Sequence, residues 1–474
     1  MRFPLRFSER RLVLIFLDLI ALNGSLLLFL DLRADYQLSW RLISENPLWF
    51  IILSLLWLFI GFAFDVYDLR VVSRFSTTFR PVLFSGLITI GIYLLIPYIS
   101  PSLPKSRFTI FSFFLLTVFL LLMGRLIYRF TLTQPLFTRR ALIVGTGPSA
   151  HLIAKTISEN TNGIFQLVGF IQDSGREKNS IEKEYPREVH LSGNPEVKTL
   201  GGLDELLEII KENQVNTLIL ATEEKADGRL LQTLTDSMEL GVEIIPMQVL
   251  YEKLTGRVPV EHIGESWQVA MPIDHPLTRP FNSFVKRISD IILATLGCIC
   301  LAPFFPFIAL AIYIESPGPI FYAQTRVGRN GRIFKAYKFR SMVPNAEKDR
   351  PVWAGKNDPR VTRVGRLLRK THVDEFPQFW NILKGEMSAV GPRPERPEFV
   401  EELAGEIPFY RVRHAVKPGM AAWGLVKQGY GASKEDALVK LQYDLYYIKH
   451  QSFFFDLVIL LKTIIDTLTF RGRA

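Results

Sequence analysis

With 474 residues, 48% of them hydrophobic, only 22% charged and 36 phenylalanines, the chain is too apolar to be wholly soluble, and part of it belongs in lipid. Its length allows about three domains. The net charge of +10 calls for anionic partners, and in a membrane protein lipid headgroups and phosphorylated substrates fit that charge better than nucleic acid.

Four apolar runs come first, at roughly 12–30, 47–64, 81–99 and 108–128, each close to the ~20 residues that cross a bilayer as a helix. The first has no small-residue cleavage site and reads as a retained span. Asp18 lies inside it, where a carboxylate must face neighbouring helices, most simply in a packing role. Arg2, Arg6, Arg10 and Arg11 precede the first run. Arg70, Arg74 and Arg80 fill the middle loop, and Arg125, Arg129, Arg139 and Arg140 close the last span. This pattern predicts a cytoplasmic N-terminus, four crossings over residues 1–132, and a cytoplasmic remainder.

Residues 138–260 read as a Rossmann-like, doubly wound α/β domain. The strand pattern Ala141–Val144 runs into Gly145-Thr-Gly147-Pro-Ser-Ala150 and an apolar helix, as in a phosphate-binding turn. A strand at Gln166–Ile171 ends near Asp173, at the spacing of a ribose-binding acid. Leu206–Glu212 reads as a helix, and Thr217–Ala221 and Val242–Pro246 as strands. Pro148 and Ala150 depart from the strict glycine pattern, so Gly145, Gly147 and Asp173 are nucleotide-site candidates beside a scaffold or dimerisation reading. Residues about 174–200 read as a surface loop, and 261–281 as a linker.

The apolar run at 282–314 is broken by Pro303 and Pro306 and has basic residues at both ends: Lys286 and Arg287 before, Arg326, Arg329 and Arg332 after. Each proline removes a backbone donor and bends the helix. The flanks predict a helix that dips into one leaflet and returns, with a kinked span as the alternative. Cys298 and Cys300 sit two apart in this run, a spacing that suits neither a disulfide nor a metal site.

Residues 315–474 carry the chemistry. Asp374 and Glu375 are adjacent, with Arg363, Arg366, Arg369 and Lys370 before them and Lys384 and Arg393 after. Carboxylates among cations suit work on a metal-bound phosphate, although ordinary surface ion pairs would give the same pattern. Arg360, Arg363, Arg366 and Arg369 recur every third residue, a basic stripe suited to lipid headgroups. Pro377 is expected to end or bend the local helix and present the acids rather than bury them. His372 reads as structural or exposed. The amphipathic run at 453–470 fits a helix lying on the membrane or packing on the catalytic domain.

Several blocks follow in order: Ser316-Pro-Gly-Pro-Ile-Phe-Tyr-Ala-Gln324, Arg326-Val-Gly-Arg-Asn-Gly-Arg332, Tyr337-Lys-Phe-Arg-Ser-Met342, Asp374-Glu-Phe-Pro-Gln378 with Trp380-Asn381, and Gly391-Pro-Arg-Pro394. On these, the chain from Asn282 resembles the bacterial sugar transferases, polyprenyl-phosphate glycosyl-1-phosphate transferases that start exopolysaccharide and O-antigen assembly. The N-terminal spans and Rossmann-like domain match the larger members.

The resemblance implies transfer of a sugar 1-phosphate from a UDP-sugar to undecaprenyl phosphate at the cytoplasmic face of the bacterial inner membrane, with Mg2+ as cofactor and UMP as by-product. It makes Asp374 the nucleophile and Glu375 the magnesium ligand, with Asp374 a second candidate ligand. Lys338, Arg340, Arg393 and Arg326 become phosphate contacts. A homodimer fits the larger members. A Rossmann-domain nucleotide sensor and an inactive assembly scaffold are the alternatives. The family's polar loop run appears here as Pro418-Gly-Met-Ala-Ala-Trp423-Gly-Leu-Val426, with Ala421 and Leu425 at its Thr and Gln positions, and Ala302-Pro303 replaces Ser-Pro at the helix break.

Overall fold

The computed structural model describes residues 5–33, 36, 39–72, 75–104, 106–132, 134, 136–161, 163–172, 188–189, 197–222, 228–262, 280–344, 346, 358–429 and 433–469. They fall into two compact units, Met1–Leu250 and Tyr251–Ala474.

The first unit opens with four apolar helices: α1 (Phe7–Asp31), α2 (Pro47–Ala63), α3 (Phe75–Leu95) and α4 (Arg107–Leu132). Of these, α1, α3 and α4 are long and apolar enough to cross a membrane, whereas α2 has 17 residues. The third run ends earlier than its hydropathy suggested, at Leu95, because the chain breaks into turns before Ser100. Leu22, Leu26, Phe29, Trp57, Tyr93 and Phe113 fill the interior between the helices.

Asp18 is fully buried there, as a packing residue must be. Its Oδ2 accepts from Arg125 Nη2 at 2.7 Å and from Trp57 Nε1 at 3.2 Å, which ties α1, α2 and α4 together. Arg10, also fully buried, donates from α1 to the carbonyls of Leu132 (2.7 Å), the last residue of α4, and Phe137 (2.6 Å), just beyond it. Phe7 packs on Phe165 with ring centroids 5.6 Å apart, and Arg6 lies 3.4 Å from Glu243. The start of α1, the end of α4 and the α/β domain therefore share one side.

That domain is a six-stranded sheet built from β1 (Arg139–Val144), β2 (Phe165–Gln172), β3 (Glu188–Val189), β4 (Val197–Gly202), β5 (Thr217–Leu220) and β6 (Glu243–Pro246), in the order β3-β4-β2-β1-β5-β6. All the pairs are parallel except β3 with β4. The expected loop at 174–200 thus contains two strands. Only Val197 of β4 is buried, so the segment lacks the continuous apolar run of an inner strand. The central strands β1 and β5 are buried almost throughout; α5 (Pro148–Asn160) follows the glycine turn with proline in its first turn, and α6 (Leu206–Glu212), where a helix was expected, and α7 (Gly228–Glu239) come later in the domain.

In the second unit, α8 (Pro280–Leu301) and α9 (Phe305–Glu315) meet at 63°. Pro303 lies in the break, and Pro306 sits in the first turn of α9, where its missing N–H is no loss. A hairpin of β7 (Phe321–Val327) and β8 (Ile333–Phe339) follows. Next come α10 (Arg363–Lys370), α11 (Gln378–Lys384), β9 (Ser388–Val390) and β10 (Gly419–Ala421), which pairs in parallel with β9. Two long helices, α12 (Lys434–His450) and α13 (Phe453–Leu468), close the unit.

The unit boundary at Leu250 falls before the expected 260. Val258 and Val260 belong to the same core as Leu441, Leu445 and Ile459, and Trp423 Nε1 donates to Gly256 O at 3.3 Å. Asp456 on α13 accepts from Lys286 Nζ at 2.6 Å, so this last helix packs on its own unit.

Removing one partner of a buried ion pair strands the other. Arg125→Leu is expected to destabilise the purified protein by about 3–5 kcal/mol, read as a lower thermal midpoint in nanodiscs. The double variant Asp18→Leu/Arg125→Leu should recover most of that loss; absence of recovery would show that the two side chains are not coupled.

Candidate active site

Asp374 and Glu375 sit in a single 3-10 turn, Val373–Glu375, entered through His372 in the left-handed region (φ 57°). Both carboxylates are almost completely buried, at 3% and 2% exposed. This reverses the expectation that Pro377 would present them outward. Pro377 starts α11 instead of ending a helix, and α11 folds back so that the buried Asn381 donates to Lys335 O (2.7 Å) and accepts from Tyr337 N (3.1 Å). Asn381 thereby fixes the acid turn against β8.

Strand β8 brings Lys338 inward, where its Nζ donates to Glu375 Oε1 at 2.9 Å. Arg393 reaches the same carboxylate through two donors, Nη2 to Oε1 at 2.5 Å and Nη1 to Oε2 at 3.1 Å. Glu375 is thus held between two cations, one of them bidentate. Burial pushes the Lys338 ammonium below the ordinary lysine range, with Glu375 pulling the other way.

Arg393 is aimed by a tight backbone crossing. A Cβ on Gly419 would lie 2.0 Å from Gly391 N, and one on Gly391 would lie 2.4 Å from Lys417 O, so neither position admits a side chain. Behind the crossing, Arg413 donates to Arg393 O at 2.9 Å and to Asp444 Oδ2 at 2.8 Å. Its Nη1 also meets Tyr410 Oη at 2.6 Å. Arg413 and Tyr410 escaped the sequence reading because they lie outside the recognised blocks, whereas Asp444 falls in Leu441-Gln-Tyr-Asp-Leu-Tyr-Tyr-Ile448, a stretch that resembles the family but was given no role. A buried Asp spaced among the aromatic residues of α12 was the available signal.

The remaining candidates take different places. Arg326 donates to Pro394 O (2.8 Å) and reaches Glu395 (3.4 Å), so it braces the Arg393 segment rather than standing open to a phosphate. Arg340 is buried, donates to Ser316 O, and has its Nε and Nη1 without hydrogen-bond partners among the described residues. A donor-only group in that condition fits an anion. The predicted basic stripe is divided, because Thr362 caps α10 and leaves Arg360 outside the helix, paired with Asp358. Arg369 Nε donates to Ser341 Oγ at 2.9 Å, while Arg363, Arg366 and Leu367 are exposed.

Gly145 has φ 118°, and a Cβ there would lie 2.8 Å from Ala221 O, so close strand packing alone requires glycine. Gly147 is the N-cap of α5, and Asp173 lies outside the described residues. The altered loop at 418–426 is β10 and the start of a short helix. Ala421 is a buried core residue, and its carbonyl accepts from Gly391 N at 3.0 Å, so the substitution lies in packing beneath the Arg393 turn.

The second unit's motifs have close counterparts in other proteins. A profile of the bacterial sugar transferases matches residues 281–470, and a profile of a CoA-binding domain matches residues 62–247. The UDP-N-acetylgalactosamine-undecaprenyl-phosphate N-acetylgalactosaminephosphotransferase of Aeromonas hydrophila is 42% identical over 228 residues, 48% of this chain and 53% of that protein. The UDP-glucose:undecaprenyl-phosphate glucose-1-phosphate transferase of Xanthomonas campestris pv. campestris is 32% identical over 71% of this chain and 68% of its own length. The exopolysaccharide production protein PSS of Rhizobium leguminosarum bv. phaseoli is 39% identical over 40% of this chain and 97% of its own length. The chain belongs to the bacterial sugar transferase family. It spans just over half the length of the Aeromonas relative.

Asp444→Ala leaves the Arg413 guanidinium buried without its carboxylate, and the expected loss is about 3–5 kcal/mol. A thermal midpoint equal to that of the wild type would show that the pair does not brace the Arg393 turn.

Proposed function

We propose that this protein transfers a sugar 1-phosphate from a UDP-sugar to undecaprenyl phosphate, yielding undecaprenyl-diphosphate-sugar and UMP, as an opening membrane step of polysaccharide assembly. The observation that carries this reading is the buried Asp374–Glu375 turn with Lys338 and Arg393 closed on Glu375. Relatives whose names state this reaction support it.

In this reading an Asp374 oxygen attacks the β-phosphorus of the donor. The bond from that phosphorus to the bridging oxygen breaks, and UMP leaves with that oxygen. The sugar phosphate is then esterified to the aspartyl carboxylate until an oxygen of undecaprenyl phosphate displaces it and frees Asp374. A carboxylate is ionised at neutral pH and needs no separate base. Lys338, Arg393 and Arg340 balance the charge of the phosphates.

Two adjacent carboxylates that would share a cation with substrate phosphates suit magnesium, which takes one or two protein carboxylates and completes its shell elsewhere. Glu375, with Asp374, would hold it, and when bound it offsets the charge of the pyrophosphate. The chain's basic flanks support a cytoplasmic catalytic unit, and the Pro303 bend supports α8 and α9 entering one leaflet and returning.

Full-length protein in nanodiscs, given undecaprenyl phosphate, Mg2+ and a panel of UDP-sugars, is expected to release UMP with at least one of them. Asp374→Ala should lower that rate by about a thousandfold or more. Release with no sugar, or release that survives the substitution, overturns the assignment.

Activity that needs the charged Lys338 should fall as pH rises through its depressed pKa, below the usual lysine range. Lys338→Arg should move that alkaline limb upward, because a guanidinium stays protonated. An unmoved limb would assign it to another group.

A further inference from the structure

The acid turn is flanked by two short helices, α10 before it and α11 after it, and α10 is not favourable alone. Residues 363–370 read Arg-Val-Gly-Arg-Leu-Leu-Arg-Lys. They hold four cations and a central glycine, with no acid in the first turn. Positive charge at a helix N-terminus opposes the helix dipole, and glycine weakens the interior.

The missing negative charge comes from the bent helix pair. Glu315, the last residue of α9, accepts from Arg363 N at 2.6 Å through Oε1 and from Val364 N at 2.7 Å through Oε2. Both of its oxygens thus serve the free amides of one helix start, in addition to the Thr362 cap on Gly365 N (2.9 Å). The apolar side of the same joint is shared by Ile312 of α9 and Leu368 of α10, with Val373 of the acid turn packed against them.

The opposite end is treated in the opposite sense. Arg287 of α8 donates to Ile382 O and Leu383 O, each at 2.7 Å, placing a cation on the last carbonyls of α11. Asp290, also on α8, accepts from Ser388 Oγ and Ala389 N, each at 2.9 Å, on the strand that leads to Arg393.

We propose that Glu315 is a positioning residue for Asp374: the end of the bent helix pair holds the helix that delivers the nucleophile, while Arg287 holds the helix that leaves it. The proposal rests on the transferase reading for its kinetic consequence but not for its structural one. It gives α8 and α9 a task beyond anchoring, because they complement the dipoles of both helices bordering the acid pair.

The test compares wild type, Glu315→Ala and Glu315→Gln as full-length proteins in nanodiscs, by amide hydrogen exchange and by UMP release. Glu315→Ala is expected to speed exchange about tenfold at Arg363 and Val364 and also across Val373–Phe376. It should lower kcat about tenfold or more, with KM for the UDP-sugar within about twofold. Glu315→Gln keeps one acceptor oxygen and should fall between the two; it carries the test if the alanine variant does not insert. Faster exchange confined to residues 363–365, or unchanged kcat in a variant with faster exchange, would reduce Glu315 to a local cap and overturn the proposal. Wild-type protein without UMP release would remove the transferase reading alone, and exchange at 373–376 would then decide the positioning role.

Discussion

Two carboxylates on consecutive residues, both shielded from water, repel each other and lose hydration together, so a fold can retain them only by surrounding them with fixed positive charge. Much of the second unit answers that constraint. A hairpin strand supplies Lys338, a backbone crossing supplies Arg393, and both converge on Glu375. The same cations suit phosphate oxygens, so in the proposed reaction a donor pyrophosphate would compete with Glu375 for donors already in place. Charge that stabilises the carboxylate pair is charge the proposed reaction can use, without reorganising solvent.

The supporting groups stand behind this layer and touch backbone more than side chain. Arg413 and Arg326 grip the carbonyls of Arg393 and Pro394, Asn381 bridges the acid turn's helix to β8, and Asp290 holds β9. Backbone contacts of this kind fix where a functional side chain starts and leave its far end available. They also explain why removing a residue remote from substrate would disturb geometry at the reacting atoms.

Much of this was legible in the chain itself. The apolar runs, the glycine turn, the proline break and the Asp374–Glu375 pair all follow local rules of periodicity, turn chemistry and charge. What was not legible depends on distant partners. Lys338 can also be read as a solvated strand residue until β8 is laid against the acid turn. The outward presentation expected from Pro377 failed because proline opens a helix as readily as it closes one. The every-third-residue arginines suggested one surface stripe, yet Asp358 and Ser341 claim two of them. Glu315 follows the apolar run with no local signal of a role, and only the return of the chain 48 residues later gives it a partner.

The pair formed by Asp18 and Arg125 joins residues separated by 107 positions. During synthesis the first helix therefore emerges with its carboxylate long before the matching guanidinium exists, and neither helix is a comfortable lipid solute by itself. The order of events follows from that mismatch. The carboxylate of the opening helix stays without its partner until the fourth helix arrives, so the two can reach their final packing only together.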